Sequence, residues 1–294
     1  MKIGIIPNVI IKGIADTVSV FIKKLKENGF EYVVCNSITG FSDTFNSSVE
    51  EKCLCEIETV CRQSDIIISF GGDGTLLSAA YYAHLYNTPV LGVNFGKLGF
   101  LAEIDINEMD VLIDAIKNKT YLIEERMLLE GECEGLDDVK LYGINDLVVE
   151  KGSGAKMIEI DVLVNDEFVT TFSADGLIVA TPTGSTGYSL SVGGPIVCPE
   201  CAVITLSPIS PHSLTTRPIV LPSNAEITIK AATIYKEVQI SCDGQRVFLA
   251  PPPLKVRMRK SKNMLKLVHI GRRSYFEILR NKLLWGLDVR KRAR

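Results

Sequence analysis

The chain has 294 residues, enough for two ordinary domains, each with its own core. Hydrophobic residues make up 46% and charged residues 23%, the balance of a soluble globular protein, and the net charge of −3 argues against nucleic acid as the main partner. No apolar run has the roughly 18 residues of a membrane span or the form of a signal peptide, so we expect a cytoplasmic protein whose eight cysteines are reduced thiols.

Strands and helices alternate along the first third of the chain. Short apolar runs at residues 3–6 and 66–70 predict strands, and the second is apolar throughout, as a central parallel strand should be. Helical spacing predicts helices at about residues 48–61 and 76–86. This alternation predicts an α/β domain over residues 1–120, with an open, mostly parallel sheet covered on both faces.

The pattern changes near residue 120, where β-rich runs separated by Gly, Pro, Asn and Asp begin. One such run covers residues 142–149, and the run at 158–164 alternates apolar and polar residues as a strand does. We therefore expect an all-β domain over residues 121–271. Helical spacing returns after that, and we expect residues 272–294 to form a C-terminal helix that packs back onto the first domain.

A glycine-rich turn, Gly71-Gly72-Asp73-Gly74-Thr75, follows the central predicted strand and precedes a helix. Ligands of open parallel sheets bind beyond the carboxyl ends of the strands. The glycines permit backbone angles closed to other residues and let a phosphate approach the backbone N–H groups, while the helix end and the Thr75 hydroxyl favour an anion. The turn therefore suits a polyphosphate.

Asp73 needs a separate explanation, because a carboxylate repels a neighbouring phosphate. It can hold a metal that bridges phosphates, or accept a proton from an attacking hydroxyl. The structural alternative is an aspartate that caps the helix, with glycines that only make a tight turn. The turn is neither the dinucleotide fingerprint, since Leu77 stands where the third glycine belongs, nor a Walker-type loop.

A second polar segment covers residues 173–195 and combines small hydroxyl residues, close glycines and one aromatic residue, Tyr188. Tyr188 can stack on a base or bond a ribose. A solvated loop between strands is the alternative, although a long structureless loop in a compact domain is usually functional. The lone Cys198-Pro199-Glu200-Cys201 segment lacks the second pair or the histidines that a zinc site needs.

The glycine turn and residues 174–195 together resemble the NAD kinase family of bacterial type, which uses ATP or polyphosphate. Three further segments agree with that family and lie in the same order. They are Gly143-Ile144-Asn145-Asp146, Ser210-Pro211-His212-Ser213-Leu214 with Arg217-Pro218, and Cys242-Asp243-Gly244-Gln245. The glycine turn alone is shared with phosphofructokinases and with diacylglycerol and sphingosine kinases, so the set of five is the more specific signal.

The resemblance implies a role for each matched residue. Asp73 is implied as the base toward the ribose 2′-hydroxyl of NAD, with Gly74 beside it, and Asn145 and Asp146 as ligands of a ribose and base. Asp175 is implied at the nicotinamide end of the dinucleotide. The remaining implied contacts are Thr186, Gly187, Tyr188, Ser189, Leu190 and Ser191 around the adenosine, and Lys156, Ser173, Ser210 and Gln245 elsewhere on the dinucleotide.

The resemblance implies NAD and ATP as substrates, a divalent metal such as Mg²⁺ whose protein ligands are not assigned, and a homodimer or homotetramer. The expected product is NADP. No membrane or nucleic-acid partner is expected. Two other interpretations stay open at this point: a kinase of the same superfamily that acts on a lipid or sugar, and a dinucleotide sensor without catalysis.

Overall fold

The computed structural model describes residues 1–38, 49–96, 99–102, 104–136, 138–271 and 273–285. The chain forms two compact units, one made of Met1–Glu125 with Lys266–Arg294 and the other of Arg126–Leu265. The unit borders thus follow Glu125 and Leu265, whereas we placed domain boundaries after residues 120 and 271. Within the described part of the chain, none of the helices has the length and apolar character needed to cross a membrane.

The secondary structure alternates in the first unit and is almost all β in the second. The strands are β1 (Lys2–Pro7), β2 (Glu31–Cys35), β3 (Leu54–Cys55), β4 (Ile66–Gly71), β5 (Val90–Asn94), β6 (Ile104–Asp105), β7 (Leu122–Cys133), β8 (Leu141–Gly143), β9 (Asp146–Lys151), β10 (Ile158–Val164), β11 (Glu167–Ala174), β12 (Gly176–Ala180), β13 (Val203–Ile209), β14 (Ile219–Pro222), β15 (Ile227–Ala232), β16 (Val238–Cys242), β17 (Arg246–Ala250) and β18 (Leu254–His269). The α-helices are α1 (Ile14–Glu27), α2 (Ile57–Gln63), α3 (Asp73–Leu85), α4 (Met109–Asn118), α5 (Tyr188–Ser191) and α6 (Tyr275–Leu283). Short 3₁₀ helices cover Asn36–Ile38, Glu51–Cys53, Ile106–Glu108 and Thr183–Thr186.

The first unit contains a parallel sheet in the order β3-β2-β1-β4-β5, which confirms the predicted α/β fold. All six residues of β4 are buried, as expected of a central strand covered on both faces. The helix α1 buries one apolar face, including Val18, Phe21 and Leu25. Because the strands are parallel, Gly71 at the end of β4 and Asn8 just after β1 lie at the same edge of the sheet.

The predicted helix at residues 48–61 is wrong over its first half. Its described residues begin with a 3₁₀ turn at Glu51–Cys53 and continue as strand β3, and the helix α2 begins only at Ile57. Cys55 pairs in register with Cys35 of β2, so sheet pairing overrides the local helical spacing here. Ser48, where the prediction began, lies outside the described residues.

The second unit consists of two antiparallel sheets, as predicted for an all-β domain. One contains β11-β10-β15-β18 and the other β14-β13-β12-β9-β16-β17. Alternate residues of both sheets, such as Leu147, Val149, Ile160 and Ile229, form one buried apolar cluster. The long strand β18 contributes to both units, since it pairs with β15 and, through Leu267, with β5.

The six-stranded sheet turns its other face away from that cluster, and this face is partly polar. Strand alternation places Val148 and Glu150 of β9 there, opposite Ser241 and Gln239 of β16. The predicted single strand at residues 142–149 is in fact two strands, β8 and β9, with a turn at residues 144–145 between them. The polar face and this turn position the candidate site.

Candidate functional site

The glycine turn connects β4 to α3, and Gly72 occupies the position before the first helical residue. Our expectation of unusual glycine angles is wrong for Gly71 and Gly72, since neither has a positive φ, and Gly72 adopts φ −112° and ψ −167°. The requirement at Gly71 is space, because a Cβ there would lie 2.2 Å from the Thr75 hydroxyl oxygen. Nothing lies within 4 Å of a Cβ built on Gly72, which leaves that backbone open to an approaching group.

Asp73 does not cap its helix. Its carboxylate instead accepts hydrogen bonds from three consecutive backbone N–H groups, those of Phe100 at 2.8 Å, Leu101 at 3.1 Å and Ala102 at 3.0 Å. The first reaches Oδ2 and the other two reach Oδ1. Among the described residues only Phe100 donates to Oδ2, so this oxygen has room for a further donor.

Asn8 lies beside the glycine turn at the same edge of the sheet. Its backbone N–H donates to the Phe70 carbonyl at 2.8 Å, and its side-chain amide donates to the Thr75 hydroxyl at 3.1 Å. The hydroxyl that we expected to bind an anion is therefore oriented by Asn8. Among the described residues no group of three or more His, Cys, Asp and Glu side chains could hold a metal ion.

In the second unit, a buried carboxylate holds the turn between β8 and β9. Asp243 Oδ1 accepts from the N–H groups of Ile144 at 2.9 Å, Asn145 at 2.7 Å and Asp146 at 3.1 Å. The Asp243 side chain is only 4% exposed, and its Oδ2 lies 3.9 Å from the Arg246 guanidinium. Burial raises the pKa of Asp243, although the three backbone N–H bonds and Arg246 oppose this effect.

A tight hairpin turn aims Asp243 at these amides. Asp243 and Gly244 have φ values of 54° and 65°, and the Gln245 N–H donates to the Cys242 carbonyl at 3.0 Å. Two positive φ values are the signature of the type I′ turn that Asp-Gly favours. The Asp243 N–H returns a bond to the Asp146 carbonyl at 3.0 Å, so the two turns hold each other.

A pocket of about 340 Å³ lies between these turns, the polar sheet face and helix α5. Its lining residues are Asn145, Asp146, Glu150, Tyr188, Gln239, Ser241, Asp243, Gly244 and Val247. The Asp146 side chain is buried to 4% exposure and accepts no hydrogen bond from the described residues. Burial, with Asp243 and then Glu150 nearby, raises the pKa of Asp146 to about 7.

The polar segment at residues 173–195 is largely folded, so the alternative of a solvated loop between strands is wrong. Residues 176–180 form β12, and a 3₁₀ turn at Thr183–Thr186 leads into the short helix α5. Gly184 packs so closely on the Asn145 backbone that a Cβ at this position would lie 2.0 Å from the Asn145 carbonyl oxygen. A hydrogen bond of 2.9 Å between the buried hydroxyls of Ser189 and Ser207 fixes α5 on the sheet.

Two family models match most of this chain. The model for the ATP-NAD kinase N-terminal domain matches residues 3–121, and the model for the ATP-NAD kinase C-terminal domain matches residues 144–270. The chain belongs to the NAD kinase family. It is 42% identical to the NAD kinase of Heliobacterium modesticaldum over 79% of this chain and 82% of that protein. It is 37% identical to the NAD kinase of Chlorobium phaeobacteroides over 98% of both chains.

Solved structures of NAD kinases share the fold. A yeast NADH kinase, solved as a complex with NADH, superposes with a TM-score of 0.87 at 22% identity and covers 97% of this chain and 88% of its own. An NAD kinase from Archaeoglobus fulgidus, solved in complex with ATP, has a TM-score of 0.72 at 24% identity, with 97% and 99% of the two chains covered. The reaction of the NAD kinase family is the phosphorylation of NAD to NADP, so the chain is a phosphotransferase that acts on NAD.

The structure brings some residues of the NAD kinase motifs together and leaves others apart. Asn145, Asp146 and Tyr188 line the 340 Å³ pocket. Ser173 lines another cavity of about 550 Å³ with His212, whose N–H donates to the Ser173 carbonyl at 2.8 Å. The other matched residues line neither pocket: Asp73 and Gly74 in the glycine turn, Lys156, Asp175, Ser210 and Gln245 in connections between strands, and Thr186, Gly187, Ser189, Leu190 and Ser191 in or next to the short helices.

Several residues of the pocket carry no signal in the sequence that predicts their role. Asp243 belongs to one of the NAD kinase motifs, but its partners lie about a hundred residues earlier in the chain, so local spacing does not reveal its role. Glu150, Gln239 and Ser241 belong to strands, and only their outward register marks them as pocket residues. Outside the pocket, Asn8 directly follows β1 at the ligand-binding edge of the sheet, two residues after the end of the predicted strand.

Proposed function

We propose that the chain transfers the terminal phosphoryl group of ATP to the 2′-hydroxyl of the adenosine ribose of NAD. The observation that carries the proposal is the buried Asp146 carboxylate in the pocket, beside Asn145 and Tyr188. A buried polar group without a protein partner is costly, and a ribose hydroxyl is the kind of donor that satisfies a carboxylate. Tyr188 adds a partly exposed aromatic ring for a base.

The dinucleotide contacts follow the matched motifs. Asn145 and Asp146 bind a ribose and its base, and Asp175 holds the nicotinamide end. Thr186, Gly187, Tyr188, Ser189, Leu190 and Ser191 form the adenosine side, where Ser189 acts through its buried bond to Ser207. The remaining contacts are Lys156, Ser173, Ser210 and Gln245.

Asp73, with Gly74 beside it, serves the transfer step. The 2′-hydroxyl oxygen attacks the terminal phosphorus, its proton passes to Asp73 Oδ2, and ADP leaves with the electrons of the broken P–O bond. Oδ2 suits this role because Phe100 is its only donor among the described residues, which leaves room for the hydroxyl. The bonds to Leu101 and Ala102 hold the other oxygen and fix the orientation of the carboxylate.

A divalent metal such as Mg²⁺ enters the reaction as the metal–triphosphate substrate. The residues described by the structure offer no group of three acidic, histidine or cysteine ligands, so they do not form a metal cage of their own. Mg²⁺ characteristically keeps several waters and binds through substrate phosphates with one or two carboxylates. We therefore expect the phosphates of the nucleotide to hold the metal, with one or two carboxylates at most.

A cytoplasmic location and a homodimer or homotetramer complete the proposal. The outermost strand β11 of the second unit carries the exposed apolar side chains Phe168 and Val169, and the outermost strand β14 carries Val220. Exposed apolar edges of this kind are suited to pairing with another copy. Light scattering on the purified chain measures the state directly, and a monomer at micromolar concentration would contradict it.

The role of Asp73 is tested by Asp73→Asn. We expect turnover to fall by about 10² to 10⁴, the usual contribution of a general base, with the KM for NAD almost unchanged. Asp105→Asn is the matched control. Asp105 also lies in the first unit and accepts a hydrogen bond from a backbone N–H group, that of Asn107 at 2.9 Å, but it has no proposed role in the transfer. Near-normal NADP formation by Asp73→Asn would refute the base role.

Asp73→Asn also alters the contacts to residues 100–102, and this effect is measured separately. Hydrogen exchange of the peptide that contains Phe100, Leu101 and Ala102 reports whether their N–H bonds persist. Loss of turnover with this protection retained assigns the defect to proton transfer. Loss of both assigns it to the collapse of the segment that Asp73 holds.

A further inference from the structure

The pocket in the second unit is acidic. Three carboxylates line it, those of Asp146, Glu150 and Asp243, and its described lining contains no Lys, Arg or His. The three acids are not equivalent, however. Asp243 is bonded to three N–H groups and faces Arg246, and Asp146 has a pKa of about 7, so it carries only part of a charge at neutral pH.

Glu150 carries a charge that no cation matches within the described part of the chain. Its carboxylate accepts a hydrogen bond of 2.7 Å from the neutral side-chain amide of Gln239. That bond fixes the carboxylate without neutralising it. Burial raises the pKa of Glu150, and the bond from Gln239 opposes this. A cation brought into the pocket is favoured because its attraction to the carboxylate offsets the cost of burying that charge.

Asp175 lies close to Glu150 but, unlike Glu150, has a cation that matches its charge. Its carboxylate pairs with the Lys151 ammonium at 2.6 Å, so the two together are neutral. The residue after it, Gly176, packs directly on Glu150, because a Cβ at Gly176 would lie 2.7 Å from the Glu150 Cβ. Both Glu150 and Asp175 also contribute, after burial, to raising the pKa of Tyr188. A group held at Asp175 therefore experiences the field of Glu150.

The two redox forms of the dinucleotide differ in charge at one end only. The nicotinamide ring carries one positive charge in NAD and none in NADH, while the rest of the molecule is the same. We propose that Glu150, held in place by Gln239, selects NAD over NADH by attracting this charge. The inference rests on the proposed function, in which Asp175 holds the nicotinamide end.

The size of the effect follows from Coulomb's law. At an effective dielectric constant of about 20, the attraction between two unit charges about 10 to 12 Å apart raises an affinity by about tenfold or more over that of a neutral group. We therefore expect kcat/KM for NAD to exceed that for NADH by about tenfold or more. Salt should reduce the ratio only weakly, because the pocket is partly buried.

Two variants of opposite sign test the proposal. Glu150→Gln keeps a hydrogen-bonding partner for Gln239 but removes the charge, and it should lower the NAD-to-NADH ratio of kcat/KM by about tenfold, entirely through NAD. Lys151→Met leaves Asp175 unmatched, and it should raise the ratio. Glu167→Gln is the matched control, because Glu167 is exposed, belongs to the same unit and lies outside the pocket lining.

The measurement is NADP and NADPH formation from NAD and NADH, with thermal denaturation of each variant as a check of folding. A ratio in Glu150→Gln within about twofold of the wild type overturns the proposal, and so does a wild type that uses both forms equally. If the wild type forms no NADP at all, the proposed function fails first. Calorimetric titration with NAD and with NADH then tests the selection alone, with the same tenfold ratio expected between the two affinities.

Discussion

Removal of the Asp243 carboxylate should release the turn that presents Asn145 and Asp146. In Asp243→Ala the three N–H groups of residues 144–146 lose the acceptor that they share at 2.7 to 3.1 Å. The hairpin turn itself should persist, because the Gln245 N–H bond to Cys242 is made by the backbone. The expected damage is therefore confined to the dinucleotide pocket and its support.

The magnitude follows from these contacts. Hydrogen bonds to a charged group contribute about 1.5 to 3 kcal/mol each, and the cost of burying the Asp243 charge offsets part of that gain. We expect Asp243→Ala to lower the free energy of unfolding by about 3 to 5 kcal/mol. Asp243→Asn should cost about 1 to 2 kcal/mol, because its oxygen can keep all three bonds while its NH₂ group faces Arg246 and the Ile144 N–H.

The assay combines urea denaturation with the KM for NAD and the turnover number. We expect both Asp243 variants to raise the KM for NAD by a larger factor than they lower turnover. The increase in KM should be much larger for Asp243→Ala than for Asp243→Asn. Asp166→Ala is the matched control, since Asp166 also has a positive φ, 65°, in a tight turn of the same unit but is exposed. If Asp243→Ala binds NAD as the wild type does, or destabilises no more than Asp166→Ala, Asp243 does not hold the turn.

Two further predictions concern the same pocket. Gly184→Ala should raise the KM for NAD at least about tenfold, because its Cβ would meet the Asn145 backbone at 2.0 Å. Gly152→Ala, with its nearest atom at 3.3 Å and no proposed contact to the dinucleotide, should change the KM much less, and equal KM values for the two variants would contradict this packing. The charged form of Asp146 is disfavoured by burial, so its contribution to stability is present below its ordinary pKa of 3.8 and is lost as the pH rises to about 7. Urea denaturation should then show that the free energy of unfolding of Asp146→Asn rises relative to that of the wild type across this pH range, by about 1.4 kcal/mol for each unit of the pKa shift. If the two proteins have parallel curves of unfolding free energy against pH, the Asp146 pKa is not raised.

Local signals in the sequence predicted the frame of the molecule well. The apolar run that became β4, the glycines after it and the helix that follows are all encoded within about twenty residues, so the parallel sheet and its ligand-binding edge could be expected. The helix predicted at residues 48–61 failed because β3 is stabilised by its pairing with β2, which no local pattern contains.

The support of the site was much less predictable. Asp73 was identified as the acid of the glycine turn, but its three bonds come from residues 100–102, which the sequence does not mark. The Asp243 carboxylate accepts hydrogen bonds from N–H groups that lie between 97 and 99 positions earlier in the chain. Glu150 faces the pocket only because the register of β9 turns it outward. Contacts of this kind are set by the fold and cannot be derived from spacing along the chain.

The most direct test of the account is the reaction itself. The purified chain is incubated with NAD, ATP and magnesium, and NADP is measured with an NADP-specific dehydrogenase while ADP is measured in parallel. We expect NADP and ADP to form in equal amounts, and neither to form when NAD is omitted. ATP consumption without NADP would point to another acceptor, and tight NAD binding without ATP consumption would point to a sensor; either result would contradict the account.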